Sequence, residues 1–254
     1  MHRLPAALVL ALLAGAVAAT DYVTVPAGKL TSVLSGGSAA GIALPIEAFA
    51  LRTMPVTNRE FSAFTAAHPE WRRGQAPAVF ADASYLHTQM ENAALSERPV
   101  TSVSWFAAQA FCAAEGARLP TWYEWEYVAA ADATRADARR DPAWRAGILA
   151  WYGQSSRHAP AAVGGPANLY GVRDIHGLVW EWVDDFNALL VSADSRSQGD
   201  PDQLQFCGAG AISLQDRENY AILMRVALLS SLRGADTTDN LGFRCARSLP
   251  KEKK

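Results

Sequence analysis

The fifteen residues from Asn168 to Trp182 constrain this chain more than any other stretch. They read Asn-Leu-Tyr-Gly-Val-Arg-Asp-Ile-His-Gly-Leu-Val-Trp-Glu-Trp. A half-buried strand alternates apolar and polar residues, and this run does not. Two acids, Asp174 and Glu181, stand seven positions apart, with Gly177 and Val179 between them. A bend at Gly177 that feeds an extended segment points the carbonyls of Gly177 and Val179 the same way, because strand geometry repeats every two residues. With the two carboxylates they make an all-oxygen set suited to calcium. On spacing alone the plainer account is the default: Asp174 caps a turn, Glu181 is solvated and both tryptophans are core. No EF-hand-like spacing is present to displace it.

Residues Met1 to Ala19 have the form of a secretory signal. Arg3 gives a positive start, Leu4 to Val17 is almost wholly apolar, and Ala16-Val17-Ala18 is a small-residue cleavage site. The run is short for a membrane span. No twin arginine and no lipid-bearing cysteine accompany it. The expectation is export across the inner membrane to the periplasm, with no membrane span after cleavage. Residues 20–250 carry no repeat and no Pro/Gly/Ser linker, so one domain is expected, followed by a charged tail at Lys251–Lys254. Half of the residues are hydrophobic, enough for a sizeable core. A net charge of -2 with scattered basic residues argues against nucleic acid or an anionic membrane as partner.

Thr57 and Glu60 form a capping box that starts a helix burying Phe61 and Phe64 and ending by Pro69. Ser104 caps a second helix, with Trp105, Phe106, Ala110 and Phe111 apolar and Gly116 at its stop. A second box, Thr121 with Glu124, opens a third helix carrying Trp122, Trp125, Tyr127 and Val128. Glu124 and Glu126 read as cap and surface, since no second acid makes them a glycosidase-type pair. Asp21–Pro45 predicts short strands and turns, and Ala131–Asp141 an exposed helix. Leu241–Arg247 predicts a closing strand with Phe243 inward. Arg72–Leu95 reads as a long surface loop. Its His87 and Met90 have a spacing open to a soft metal, though a solvated His beside a packing Met is the simpler account. The small-residue turn Cys207–Ala211 lacks the strand-then-Lys context of a phosphate loop.

Three cysteines, Cys112, Cys207 and Cys245, allow at most one internal bridge and leave one thiol over. Joining Cys112 to Cys245 would close a long loop and contribute roughly 4 to 5 kcal/mol in the chain-entropy model. Sequence alone does not choose between that pairing and one through Cys207.

Five segments, in order, resemble the formylglycine-generating enzyme family, also called the sulfatase-modifying-factor domain. They are Met54–Phe61, Pro99–Trp105, Arg118–Thr121 with Glu124–Tyr127, Asn168–Trp182 and Leu241–Arg244. The resemblance implies an irregular single-domain α+β fold of C-type-lectin-like type, poor in regular secondary structure. It implies a calcium site at Asp174, Gly177, Val179 and Glu181, with Leu178 where the family usually has asparagine. It also implies a Cys112–Cys245 disulfide. The family's oxidases hold copper(I) on two nearby cysteines upstream of the last strand, as thiolates select copper(I). Those positions fall on Asp216 and Ala221, and no cysteine lies between Gly208 and Arg244. The family's Arg-Gly-Gly-Ser-Trp run is reduced to Cys207–Ala211. Copper is therefore not expected, and whether the chain is an enzyme stays open. One reading is a non-oxidase binding or maturation factor for another exported protein or peptide, the partner being a copper protein in some relatives. Another is an enzyme of altered acid/base chemistry, tautomerase-like, for which Glu181, His176 and Asp216 are candidates, with Cys207 a further catalytic candidate. A formylglycine-generating oxidase is the reading the missing cysteines disfavour.

Overall fold

A computed structural model describes residues 22–31, 43–87, 93–153, 160–188 and 220–250. Its elements are short, because turn-forming residues interrupt the chain every few positions. The first four strands are β1 (Tyr22–Val25), β2 (Gly28–Thr31), β3 (Ala43–Ile46) and β4 (Phe49–Arg52). Strand β4 is the centre of an antiparallel sheet, flanked by β1 and by β7 (Ala246–Ser248). All four of its residues are buried, as a central strand covered on both faces requires. Strands β2 and β3 form a separate antiparallel pair. Gly28 is needed there: a Cβ would lie 2.2 Å from the Tyr127 hydroxyl.

Helix α1 (Asn58–Ala67) starts at the Thr57–Glu60 capping box, with both reciprocal bonds made. Its Phe61 and Phe64 meet Phe111 and Phe243 at centroid distances of 5.3–6.0 Å. Phe111 lies on α2 (Trp105–Ala114), which Ser104 caps. Just after the end of α2, Gly116 adopts φ +64°, a conformation that costs a Cβ-bearing residue energy. Helix α3 (Trp122–Ala129) carries the second capping box, and Trp122, Trp125, Tyr127 and Val128 are all buried.

Two expectations need correction. Residues 131–141 are not helical; Asp132 gathers the Thr134 and Arg135 amides into a turn, and Ala131 and Ala138 are buried. The helix starts later, as α4 (Pro142–Tyr152), where Asp141 accepts from the Ala143 and Trp144 amides and Pro142 fits the first helical position. Alanine propensity lost here to a local carboxylate–amide turn. The closing segment is also two short strands rather than one. Residues Leu241–Gly242 (β6) pair parallel to β5 (Trp180–Glu181), and Ala246–Ser248 join the β4 sheet. Phe243 is fully buried between them, as expected. The remaining helix, α5 (Tyr220–Ser230), packs against α4.

Cys112 on α2 is bonded to Cys245 beside β7, at a Cα–Cα distance of 5.5 Å. Both residues have no exposed surface. Among the described residues no helix is long and apolar enough to cross a membrane.

Candidate functional site

The Asn168–Trp182 segment folds back on itself through three left-handed residues, Gly171 at φ +81°, Asp174 at φ +56° and Gly177 at φ +90°. It then enters β5, where Glu181 points inward. Glu181 and Arg244 form an ion pair with no exposed side-chain surface on either partner. Arg244 donates from Nη2 to Glu181 Oε1 at 2.7 Å and from Nε to Oε2 at 2.8 Å. The Trp125 indole donates to the same Oε2 at 2.8 Å. The guanidinium also reaches the carbonyls of Arg52, Thr53, Arg173 and Asp174. One buried cation thus ties β4, the 168–182 turn, β5 and the chain's last segment together. Removing it from water is compensated by this full set of partners.

The expected calcium residues take the following places. The Asp174 carboxylate accepts from the Gly164 amide at 2.7 Å and the Gly165 amide at 2.9 Å. Gly165 makes room for it, since a Cβ there would lie 2.4 Å from Asp174 Oδ1. Gly177 lies on the exposed rim of the turn and Val179 is buried beneath it. As a donor set these four residues fit a hard cation in kind. All are oxygen donors, and each Asp174 oxygen, with Glu181 Oε1, keeps lone-pair capacity beyond the bonds just described. Arg244 would share the site. Among the described residues no three His, Cys, Asp or Glu side chains gather as a metal cluster.

A second buried pair lies beside the first and was not expected. Glu126, read from sequence as a surface acid, is buried and accepts both Arg225 Nε at 2.6 Å and Arg225 Nη2 at 2.7 Å. Arg225 also donates to the Tyr152 hydroxyl at 2.5 Å and lies 5.0 Å from the Trp125 ring. Helices α3, α4 and α5 are joined at this point. The legible signal was a lone arginine inside the apolar run Ala221–Leu229, since a charge on a buried helix needs a partner.

His176 sits between the two pairs. Its Nε2 lies 2.8 Å from the Ala129 carbonyl, which only accepts, so this nitrogen carries the proton. Trp125 and Trp144 stand edge-on to the ring at 5.9 and 5.6 Å. Burial, then the charge of Arg225, pushes its pKa down to about 3, so the ring is neutral throughout the physiological range. Nδ1 is enclosed and has no partner, although the residue as a whole is half-buried. The adjoining cavity, walled by Trp151, Tyr152, Trp180 and Leu229, has a volume of about 10 Å³. That is room for roughly one water. His87, the other histidine singled out, pairs with Asp239 at 2.9 Å. Met90, Cys207 and Asp216 lie outside the described residues, so no contact among them is drawn.

Asp185 was missed by sequence reasoning. It accepts from the Trp122 amide at 2.7 Å, at the N-terminus of α3. Burial raises its pKa to about 6, outweighing the amide bonds that lower it; Asp184 and Glu124 add repulsion. A folded-state pKa above the unfolded value means that the folded chain holds this proton more tightly. The stabilisation is complete below about pH 4 and is lost as pH rises through 6. Asp185→Asn is expected to be neutral at pH 4 and to stabilise by about 2 kcal/mol at pH 7.5. Urea melts at the two pH values check this; equal effects at both would refute it.

Comparison with known proteins identifies the family. The sulfatase-modifying factor enzyme 1-like domain matches residues 13–249. A mouse protein named inactive C-alpha-formylglycine-generating enzyme 2 is 32% identical over 170 residues, covering 61% of this chain and 52% of its own. Bovine formylglycine-generating enzyme is 28% identical over 191 residues, covering 69% and 48%. Hercynine oxygenase of Mycolicibacterium smegmatis is 33% identical over 159 residues, covering 54% and 37%. The chain spans about half the length of the curated relatives it matches. Among solved structures, PvdO from Pseudomonas aeruginosa superposes with a TM-score of 0.48 at 20% identity, covering 90% of this chain and 94% of that one. CarF superposes with the same TM-score at 18% identity, covering 91% and 99%. With the family's domain matched along nearly the whole sequence, the chain belongs to the sulfatase-modifying-factor, or formylglycine-generating-enzyme-like, family.

Proposed function

We propose that this chain is a non-oxidase member of the family, exported to the periplasm, which acts as a binding or maturation factor for another exported protein. The observation that carries this is the fate of its cysteines. The chain has three. Cys112 and Cys245 are consumed in a buried disulfide, so Cys207 is the one thiol that remains. A single thiolate cannot hold copper(I) in the two-sulfur manner of the oxidases. The relatives include a protein named inactive as well as oxygenating enzymes, so membership is compatible with loss of the oxidase reaction. His176, neutral and hydrogen-bonded to Ala129, supports the same reading. In the test, the mature protein is incubated with a Cys-x-Pro-x-Arg sulfatase peptide, copper and oxygen, and a periplasmic pull-down is run in parallel. No formylglycine and a stable complex are expected; formylglycine product defeats the proposal.

We further propose a structural calcium at the 174–181 turn, held by the Asp174 and Glu181 carboxylates and the carbonyls of Gly177 and Val179. When bound it would pin the turn to β5. What supports this is the all-oxygen donor set and the two left-handed residues that curl the backbone. A chelator is expected to lower the melting temperature by several degrees, and Asp174→Ala to abolish that sensitivity. An unchanged melting curve with chelator sinks the assignment.

A further inference from the structure

Among the described residues two enclosed side-chain polar atoms lack a hydrogen-bond partner, His176 Nδ1 and Ser230 Oγ. Such atoms are rare in folded proteins, because each gives up a bond that water supplies in the unfolded chain. Ser230 lies at the end of α5, where a hydroxyl can rotate onto a carbonyl one turn back. His176 has no such recourse, since its Nε2 bond to Ala129 fixes the ring and leaves Nδ1 as a bare acceptor. His176 lines the aromatic cavity of about 10 Å³, and so do Tyr152 and Arg225. Their hydrogen-bonding capacities are complementary. The Tyr152 hydroxyl accepts from Arg225 Nη1 at 2.5 Å, and its own proton has no acceptor among the described residues. Arg225 gives Nε and one Nη2 hydrogen to Glu126, and one Nη1 hydrogen to Tyr152. Two of the five guanidinium N–H groups are left over. One wall of the cavity thus holds donors without acceptors, and His176 an acceptor without a donor.

We propose that this cavity is a binding site for one buried water, which donates to His176 Nδ1 and accepts from the Tyr152 hydroxyl and an Arg225 N–H. The volume admits roughly one molecule of that size, and about three polar partners are usual for a buried water. The ligand must donate and accept at once. An apolar gas does neither, an anion has no proton for Nδ1, and a cation cannot accept from Tyr152 or Arg225. Water meets both demands. It joins the Glu126–Arg225–Tyr152 group to His176, and through His176 to Ala129. Helices α4 and α5 are thereby hydrogen-bonded to the turn that leads into Glu181. The inference uses neither the cysteine argument nor the calcium assignment, so it stands or falls apart from both.

A high-resolution crystal structure of the mature protein tests this, with water–protein NOE spectroscopy as the readout in solution. One ordered solvent peak is expected at about 2.7–3.2 Å from both His176 Nδ1 and the Tyr152 hydroxyl. Long-lived water is expected to give cross-peaks to the ring protons of both residues. His176→Phe keeps a flat ring and removes the acceptor; it is expected to lose the solvent peak and to weaken the water signal at Tyr152 several-fold. Tyr152→Phe removes only a hydroxyl, so it serves where the first variant does not fold. It is expected to weaken the water signal at His176 several-fold. A cavity without solvent density would overturn the proposal. So would xenon taken up there by the parent under pressure, as a dry apolar cavity does, or a water signal undiminished in either variant.

Discussion

Glu181→Ala is expected to lower the melting temperature by about 10 °C or to prevent folding altogether. The substitution leaves Arg244, which has no exposed surface, as a buried charge without its counter-ion. Breaking one partner of such a pair costs roughly 3–5 kcal/mol. At this chain length each kcal/mol shifts the midpoint by about 2–4 °C. It also strips the Trp125 indole of its acceptor. Replacing both partners, as Glu181→Leu with Arg244→Met, is expected to recover only part of the loss. An apolar pair removes the stranded charge, but the carbonyls of Arg52, Thr53, Arg173 and Asp174 then lose their common donor. Calorimetry on the three proteins decides the matter. A Glu181→Ala protein that melts within 2 °C of the parent (about 1 kcal/mol) would show that the pair is not central.

The second large effect is expected from the disulfide. Cys112→Ala with Cys245→Ala removes a link across a sequence separation of 133 residues. The chain-entropy model gives about 5 kcal/mol for a loop of that size. Alanine is the appropriate replacement, because both cysteines are fully buried and a serine hydroxyl would be stranded without a partner. Urea unfolding of the double variant should show a midpoint shift of that order. For the same reason of burial, reductant should open the bond in the parent only under conditions that unfold it. Rapid reduction in the native state, with no loss of stability, would contradict both expectations.

The parts of the structure governed by short-range chemistry were readable in the sequence. Both capping boxes, the Ser104 cap and the Gly116 stop depend on residues three or four positions apart, and all are present. The disulfide was not readable from spacing, since three cysteines leave the pairing open; the family resemblance supplied it. What escaped was governed by partners distant in sequence. Glu126 looks like a surface helix acid until Arg225, 99 residues away, is placed beside it. The pairing of Glu181 with Arg244, 63 residues on, escaped for the same reason. Residues 131–141 misled for a different reason. Helical composition was outweighed by Asp132, whose carboxylate offers the following amides a turn instead. The raised pKa of Asp185 arises from burial that only the fold creates.

The absence of a paired-thiol metal site is the claim on which the functional reading stands. X-ray absorption of the oxidised, monomeric protein after titration with copper(I) tests it most directly. The account predicts at most one sulfur neighbour per copper, supplied by Cys207. Two sulfur neighbours from a single chain would contradict it and return the protein to the oxidases.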